Sequence, residues 1–128
     1  MFNPIQIPAD AVMLFNIVKL KPGVTLEDVE LEIGEMCNVV KSTYGNDQGG
    51  FIAGQVFKFS GFISKEGSMN ADEAADAHYA IVTYWKSFDQ HEHSHADQTF
   101  LDKFNAVLAH CTEAKELGYE LLWQGSPE

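Results

Sequence analysis

The chain has 128 residues, with 19 acidic against 8 basic side chains and a formal net charge of −11, which gives a pI near 4.7. That length fits a single domain able to bury a core without a metal or disulfide to hold it together. The charge argues against nucleic acid and anionic membrane surfaces as partners, and no apolar stretch approaches the roughly 20 residues needed to cross a bilayer.

The expectation is therefore a cytoplasmic protein, since residues 1 to 20 also lack the features of a signal peptide. Cys37 and Cys111 form no CxxC pair. Both fall in helical patterns and read as reduced, small apolar side chains.

Ala11 to Leu20 alternates Val12, Leu14, Asn16, Val18 and Leu20 with Met13, Phe15 and Ile17, the period of a strand buried on both sides. Lys21-Pro22-Gly23 stops it, and Thr25 with Asp28 forms a variant capping box that opens a helix. Leu26, Val29, Ile33, Met36 and Val40 give that helix one apolar stripe, and it should end near Tyr44-Gly45-Asn46. After Gly49-Gly50, residues Phe51 to Ser60 read as a second strand, with Phe51, Ala53, Gln55, Phe57 and Phe59 on one face.

Ser64 to Ala77 is polar, without periodicity, and reads as a hairpin excursion with room for one helical turn. His78 to Trp85 alternates as a third strand. Ser87-Phe88-Asp89-Gln90 is a capping box for a second helical region, and Ser94-His95-Ala96-Asp97 resembles another, so a break is expected near Ser94. Beyond it Phe100, Phe104, Val107 and Cys111 form a helical stripe, and Tyr119 to Gln124 is expected as a short last strand after Gly118.

The order β-α-β-β-α-β belongs to the α+β class and is the signature of a ferredoxin-like sandwich, one antiparallel sheet with its helices on one face. The other face is also largely apolar and aromatic, too large an area to leave wet. It is expected to be covered by a second copy, making a homodimer through the sheet face, a dimeric α+β barrel. One domain should span residues 1–128, with its core in 11–124.

Several residues resemble a known family in their order along the chain: Asn16 on the first strand, the Lys21-Pro22-Gly23 turn, Gly50-Phe51 opening the second strand, and Tyr84-Trp85-Lys86-Ser87 leading into a His-containing helix. Over roughly residues 11 to 124 the sequence resembles the antibiotic-biosynthesis monooxygenase-like family of dimeric α+β barrels. The resemblance implies a pocket between sheet and helices for a small flat aromatic or phenolic metabolite, oxidised by molecular oxygen with no cofactor. It also implies Asn16, Trp85 and a His from the 91 to 95 segment as site residues. Ser94 and Phe104 stand where the haem-degrading branch carries its own Trp and His pattern, so haem degradation is not what this resemblance points to.

The residues themselves allow that chemistry. An amide such as Asn16 in an apolar strand face must find partners, and it can orient a substrate oxygen. Deprotonating a phenol needs a base titrating near neutral pH, which points to histidine. An unbroken helix from Ser87 would turn His93 toward the core, whereas a break at Ser94 would let His95 enter the pocket, and sequence leaves both open.

His91 and His95 have the i, i+4 spacing of a metal pair, but no motif fixes a third ligand among His78, Glu92 and His110. The reading is a solvated polar face with no metal. Trp85, Tyr84, Phe57 and Phe100 are expected to line an aromatic ligand pocket. The alternative is a non-catalytic small-molecule-binding or stress-response protein using the same cavity. Rossmann, Walker, GxSxG and calcium-loop motifs are absent from the sequence.

Overall fold

The computed structural model describes residues 3–69 and 77–127. Four strands and three helices follow in the order β1 (Val12–Leu20), α1 (Leu26–Tyr44), β2 (Phe51–Lys58), β3 (His78–Trp85), α2 (Phe88–His95), α3 (Gln98–Leu108) and β4 (Cys111–Glu120). The strands form one antiparallel sheet in the order β2-β3-β1-β4. This is the ferredoxin-like α+β arrangement, with the second helical region in two pieces. Residues 70–76 of the excursion after the second strand lie outside the described residues.

One face of the sheet lies under the helices. Leu14, Val18 and Leu20 of β1 and Tyr79, Ile81 and Trp85 of β3 pack there against Val29, Ile33, Met36 and Val40 of α1 and Phe100 and Val107 of α3. Two tyrosines fasten α1 at its ends. The Tyr79 hydroxyl donates to the Leu26 carbonyl at 2.6 Å, and the Tyr44 hydroxyl donates to Asp97 Oδ2 at 2.6 Å. Burial and the Asp97 carboxylate push the Tyr44 hydroxyl up to about 12, so it stays a donor at all ordinary pH.

Three expectations are corrected. In β2 the register shifts between Phe51 and Ala53, just after Gly50 with its φ of +80°. Such a bulge inserts one residue and re-aims the side chains on either side of it. Phe51 therefore pairs with Trp85 on the helix side, whereas Ala53, Gln55 and Phe57 pair with Tyr84, Val82 and Ala80 on the open side.

The last strand begins at Cys111 and ends at Glu120, earlier than Tyr119 to Gln124. The i, i+4 step from Val107 to Cys111 mimics a continuing helix, but α3 stops at Leu108, and the Cys111 thiol donates to the Val107 carbonyl at 3.2 Å across the turn. β4 is an edge strand rich in charged residues, a composition that discourages further edge pairing and hides its period from a hydrophobicity reading.

The break between the helices falls at Ala96-Asp97, and Asp97 rather than Ser94 caps α3, its Oδ1 accepting from the Thr99 N–H at 2.8 Å. Ser87 caps α2 as expected, accepting from the Gln90 N–H at 3.2 Å.

Candidate active site

Between the helix-facing side of the sheet and the helices lies a cavity of about 590 Å³, ample for a flat polycyclic molecule. Trp85, Phe51, Phe100, Phe104, Met36 and Val40 supply apolar wall, and Asn16, Thr83, His91, His95 and Glu116 bring polar atoms to it. The Asn16 amide nitrogen donates to the Ile81 carbonyl at 3.1 Å, which fixes its orientation across the β1–β3 pairing. Trp85 is held by its indole N–H donating to Thr83 Oγ1 at 2.9 Å.

The polar end is built by α2 and β4. Because α2 has its own cap and stops at His95, its facing is independent of α3, and Phe88, His91, Ser94 and His95 share one inward stripe. His91 is only 2% exposed, wedged edge-on against Trp85 at 5.3 Å between ring centroids. His95 lies with its ring 4.7 Å from that of Phe100.

Glu116 reaches them from β4, where it pairs with Asn16 of β1 on the helix side. Gly118 of β4 leaves room for the Phe88 ring of α2. A methyl group at that position would lie 2.7 Å from Cε1 of Phe88.

Glu116 is shared. Its Oε1 lies 3.2 Å from His95 Nε2 and its Oε2 lies 3.1 Å from His91 Nε2. Nδ1 of His91 faces Glu92 Oε1 at 3.2 Å. Neither nitrogen of this buried ring makes an aligned hydrogen bond, so its carboxylate contacts are electrostatic and off-axis.

His95 is better placed. Its Nδ1 lies 3.3 Å from the His91 carbonyl and 3.1 Å from Ser94 Oγ, whose own hydrogen goes to the same carbonyl at 2.6 Å. Nδ1 therefore carries a hydrogen, and with Nε2 also facing an acceptor the ring is suited to the doubly protonated form.

Burial opposes the charge on His95, but the hydrogen bond and charge of Glu116 and the His91 carbonyl outweigh it and lift its pKa above the ordinary 6.5. Burial likewise opposes the charge on Glu116, yet its two imidazole neighbours pull its carboxyl down to about 2.

Of the residues expected at the site, Asn16, Trp85, His95 and Phe100 come together around the cavity. His93 does not, since it sits on the exposed side of α2, the unbroken-helix phase having been reset at Ala96-Asp97. Tyr84 and Phe57 lie on the open side of the sheet, where the Tyr84 hydroxyl donates to Gln55 Oε1 at 3.3 Å and Phe57 is 51% exposed. The solvated reading of His91 and His95 is also corrected, because both face inward.

His110 is not helical. It follows α3 in the turn, 3.8 Å from Glu32. Glu116 was not singled out from the sequence; the signal available was a carboxylate between the small residues Ala114 and Gly118, legible only once the strand is placed.

No protein-family model and no curated protein sequence matches the chain. The fold is shared with solved structures at low identity. SnoaB, a cofactor-independent oxygenase from Streptomyces nogalater, is 18% identical, with 94% of this chain and 100% of that one covered and a TM-score of 0.64. The hydroxynitrile lyase of Passiflora edulis is 10% identical over 93% and 100% of the two chains, with a TM-score of 0.65. A dimeric protein of ferredoxin-like fold from Bacteroides fragilis is 13% identical over 92% and 100%, with a TM-score of 0.57.

The class defined by these findings is the ferredoxin-like α+β fold, which hosts both oxygenase and lyase chemistry among these neighbours. Among the described residues no helix is long and apolar enough to cross a membrane.

Proposed function

We propose that the protein is a cofactor-independent monooxygenase-type enzyme acting on a small flat aromatic or phenolic metabolite, and that it works as a homodimer joined through the open sheet face. The observation that carries this reading is a proton-handling cluster, His91–Glu116–His95, at the polar end of an aromatic-walled cavity. Trp85 and Phe100 offer planar apolar surface to the ligand. Asn16, its amide nitrogen already engaged by Ile81, has a carbonyl oxygen suited to accept from a phenolic hydroxyl.

His95 is the proton acceptor in this reading, acting in its neutral form, which is populated above its raised pKa. Nδ1 keeps its hydrogen on the His91 carbonyl, so Nε2 is the atom that gives up and takes the proton. Loss of a proton from a carbon beside a phenolic ring leaves an electron-rich anion that hands electrons to oxygen. Conversion of a CH2 group to C=O balances without any other reductant, one oxygen atom entering the product and the other leaving as water. Glu116 is a positioning residue that orients both imidazoles.

The dimer reading is supported by the apolar open face, where Phe57, Leu117 (42% exposed) and Tyr119 (46% exposed) line up beside Val82 and Tyr84. Oxygen uptake by metal-free protein across a panel of flat phenols tests the activity. His95→Ala should abolish uptake while ligand binding persists. Ligand binding without uptake in the unsubstituted protein would favour the alternative, a non-catalytic small-molecule-binding protein.

A further inference from the structure

We propose that His91, His95 and Glu116 also form a binding site for a divalent metal ion, zinc being the ion best matched to the donors, with its remaining coordination position open to the cavity. One ligand atom from each of the three lies within 4.8 Å of the others. Two nitrogens, one carboxylate oxygen and a free position are the donor set of open zinc sites. At zinc bond lengths, ligand atoms in a tetrahedral site stand about 3.3 Å apart. The two imidazole–carboxylate contacts measure 3.1 and 3.2 Å but go to different oxygens of Glu116, so a small turn of the carboxylate would present one oxygen to an ion held by both rings.

Two further observations point to an ion. The first is the state of His91, which lacks an aligned hydrogen bond. A ring 2% exposed, whose nitrogens meet carboxylates only off-axis, is a costly thing to bury, and an ion bound by Nε2 would satisfy that nitrogen. The second is what stands behind each ring. His91 Nδ1 faces the Glu92 carboxylate and His95 Nδ1 faces a backbone carbonyl. Groups of these two kinds stand behind metal-binding histidines; here the carbonyl holds the His95 tautomer through a hydrogen bond, and the Glu92 carboxylate meets His91 Nδ1 off-axis. The i, i+4 spacing on α2 brings both rings to one side, and the cavity supplies the route to them.

The inference goes beyond the oxygenase reading and does not depend on it. A bound ion would take the Nε2 atom on which that reading places the proton, so the two occupancies exclude each other. Where the oxygenase reading holds, bound zinc would keep the protein inactive.

The test is calorimetric titration of the chelator-treated full chain with zinc chloride, paired with cobalt(II) absorption to report coordination. The expected result is one ion per chain, weakened more than about 100-fold by Glu116→Gln and by His95→Ala and unchanged by His93→Ala. His91→Ala is not relied on, because so buried a ring can be needed for folding. Absence of saturable binding, equal affinity in Glu116→Gln, or loss of binding in His93→Ala would each overturn the proposal. Oxygen uptake plays no part in this readout, so failure of one reading leaves the other standing.

Discussion

The two faces of the sheet carry residues opposite to what a lone sandwich would place there. The face beneath the helices holds a buried imidazole, a half-buried one and a carboxylate that reaches solvent, whereas the face without helices presents Phe57, Leu117 and Tyr119. A folded chain bears each inversion only if something offsets it. On the inner face the offset is internal, since the charges are arranged around one carboxylate and border a cavity. On the outer face the offset is external in the proposed dimer, where a second copy of the chain would cover it. The difference teaches that a single strand can serve both ends: Asn16 and Val18 of β1 line the cavity, while Phe15 packs edge-on against Tyr119 on the outer side at 6.3 Å.

The inner face breaks first and hardest. Trp85→Ala removes the most buried large side chain, in contact with Phe51, Tyr44 and His91, and should cost about 3–5 kcal/mol, read as a thermal midpoint lowered by more than about 10 °C. Next comes Glu116→Gln. The Glu116 carboxyl sits at about 2 against its ordinary 4.5, so its contribution is complete above pH 4.5 and is lost as pH falls toward 2. The His95 pKa is raised, so its contribution is complete below pH 6.5 and is lost as pH rises through the raised value. The stability gap between native protein and the variant should therefore be widest between pH 4.5 and 6.5, at about 2–3 kcal/mol, measured by urea unfolding at a series of pH values. The same substitution should move the His95 midpoint in NMR titration downward, and with it the alkaline rise of any oxygen uptake.

The outer face should respond to a different assay. Leu117→Lys or Phe57→Lys puts a charge into the proposed interface, and each should weaken dimerisation at least about 10-fold in sedimentation equilibrium. The secondary structure by circular dichroism should stay as it was. A chain that sediments as a monomer before any substitution would end the external explanation. The smallest effect belongs to His93→Ala, which lies on neither side of the comparison and should shift stability by less than about 0.5 kcal/mol.

Sequence patterning reached the helix-covered face more surely than the site. The stripe through Val29, Ile33, Met36 and Val40 and the alternation of β3 follow from apolar burial, which writes a strong period into the chain. Phe57 went to the wrong face because a bulge shifts the period by one residue without leaving a mark in composition. His93 and His91 exchanged places because the phase of an eight-residue helix is decided by where its neighbour starts, and Asp97 competed with Ser94 for that cap. Glu116 was hidden by β4 itself, whose charged edge carries little apolar signal. The His pair was visible, but its third partner is more than 20 positions away in sequence and adjacent only through the sheet.

Gly118 ties these threads to a single hydrogen atom. The Phe88 ring occupies the room that any side chain there would claim, and Phe88 begins the turn of helix that ends on His91 and His95. The absence of a side chain at position 118 is thus what leaves the Phe88 ring its place. A methyl added at that point would meet only the Phe88 ring and no polar atom of the cluster, so its first effect would be to displace that ring. Position 118 bears on α2 through Phe88 alone, the residue that opens the helix carrying His91 and His95.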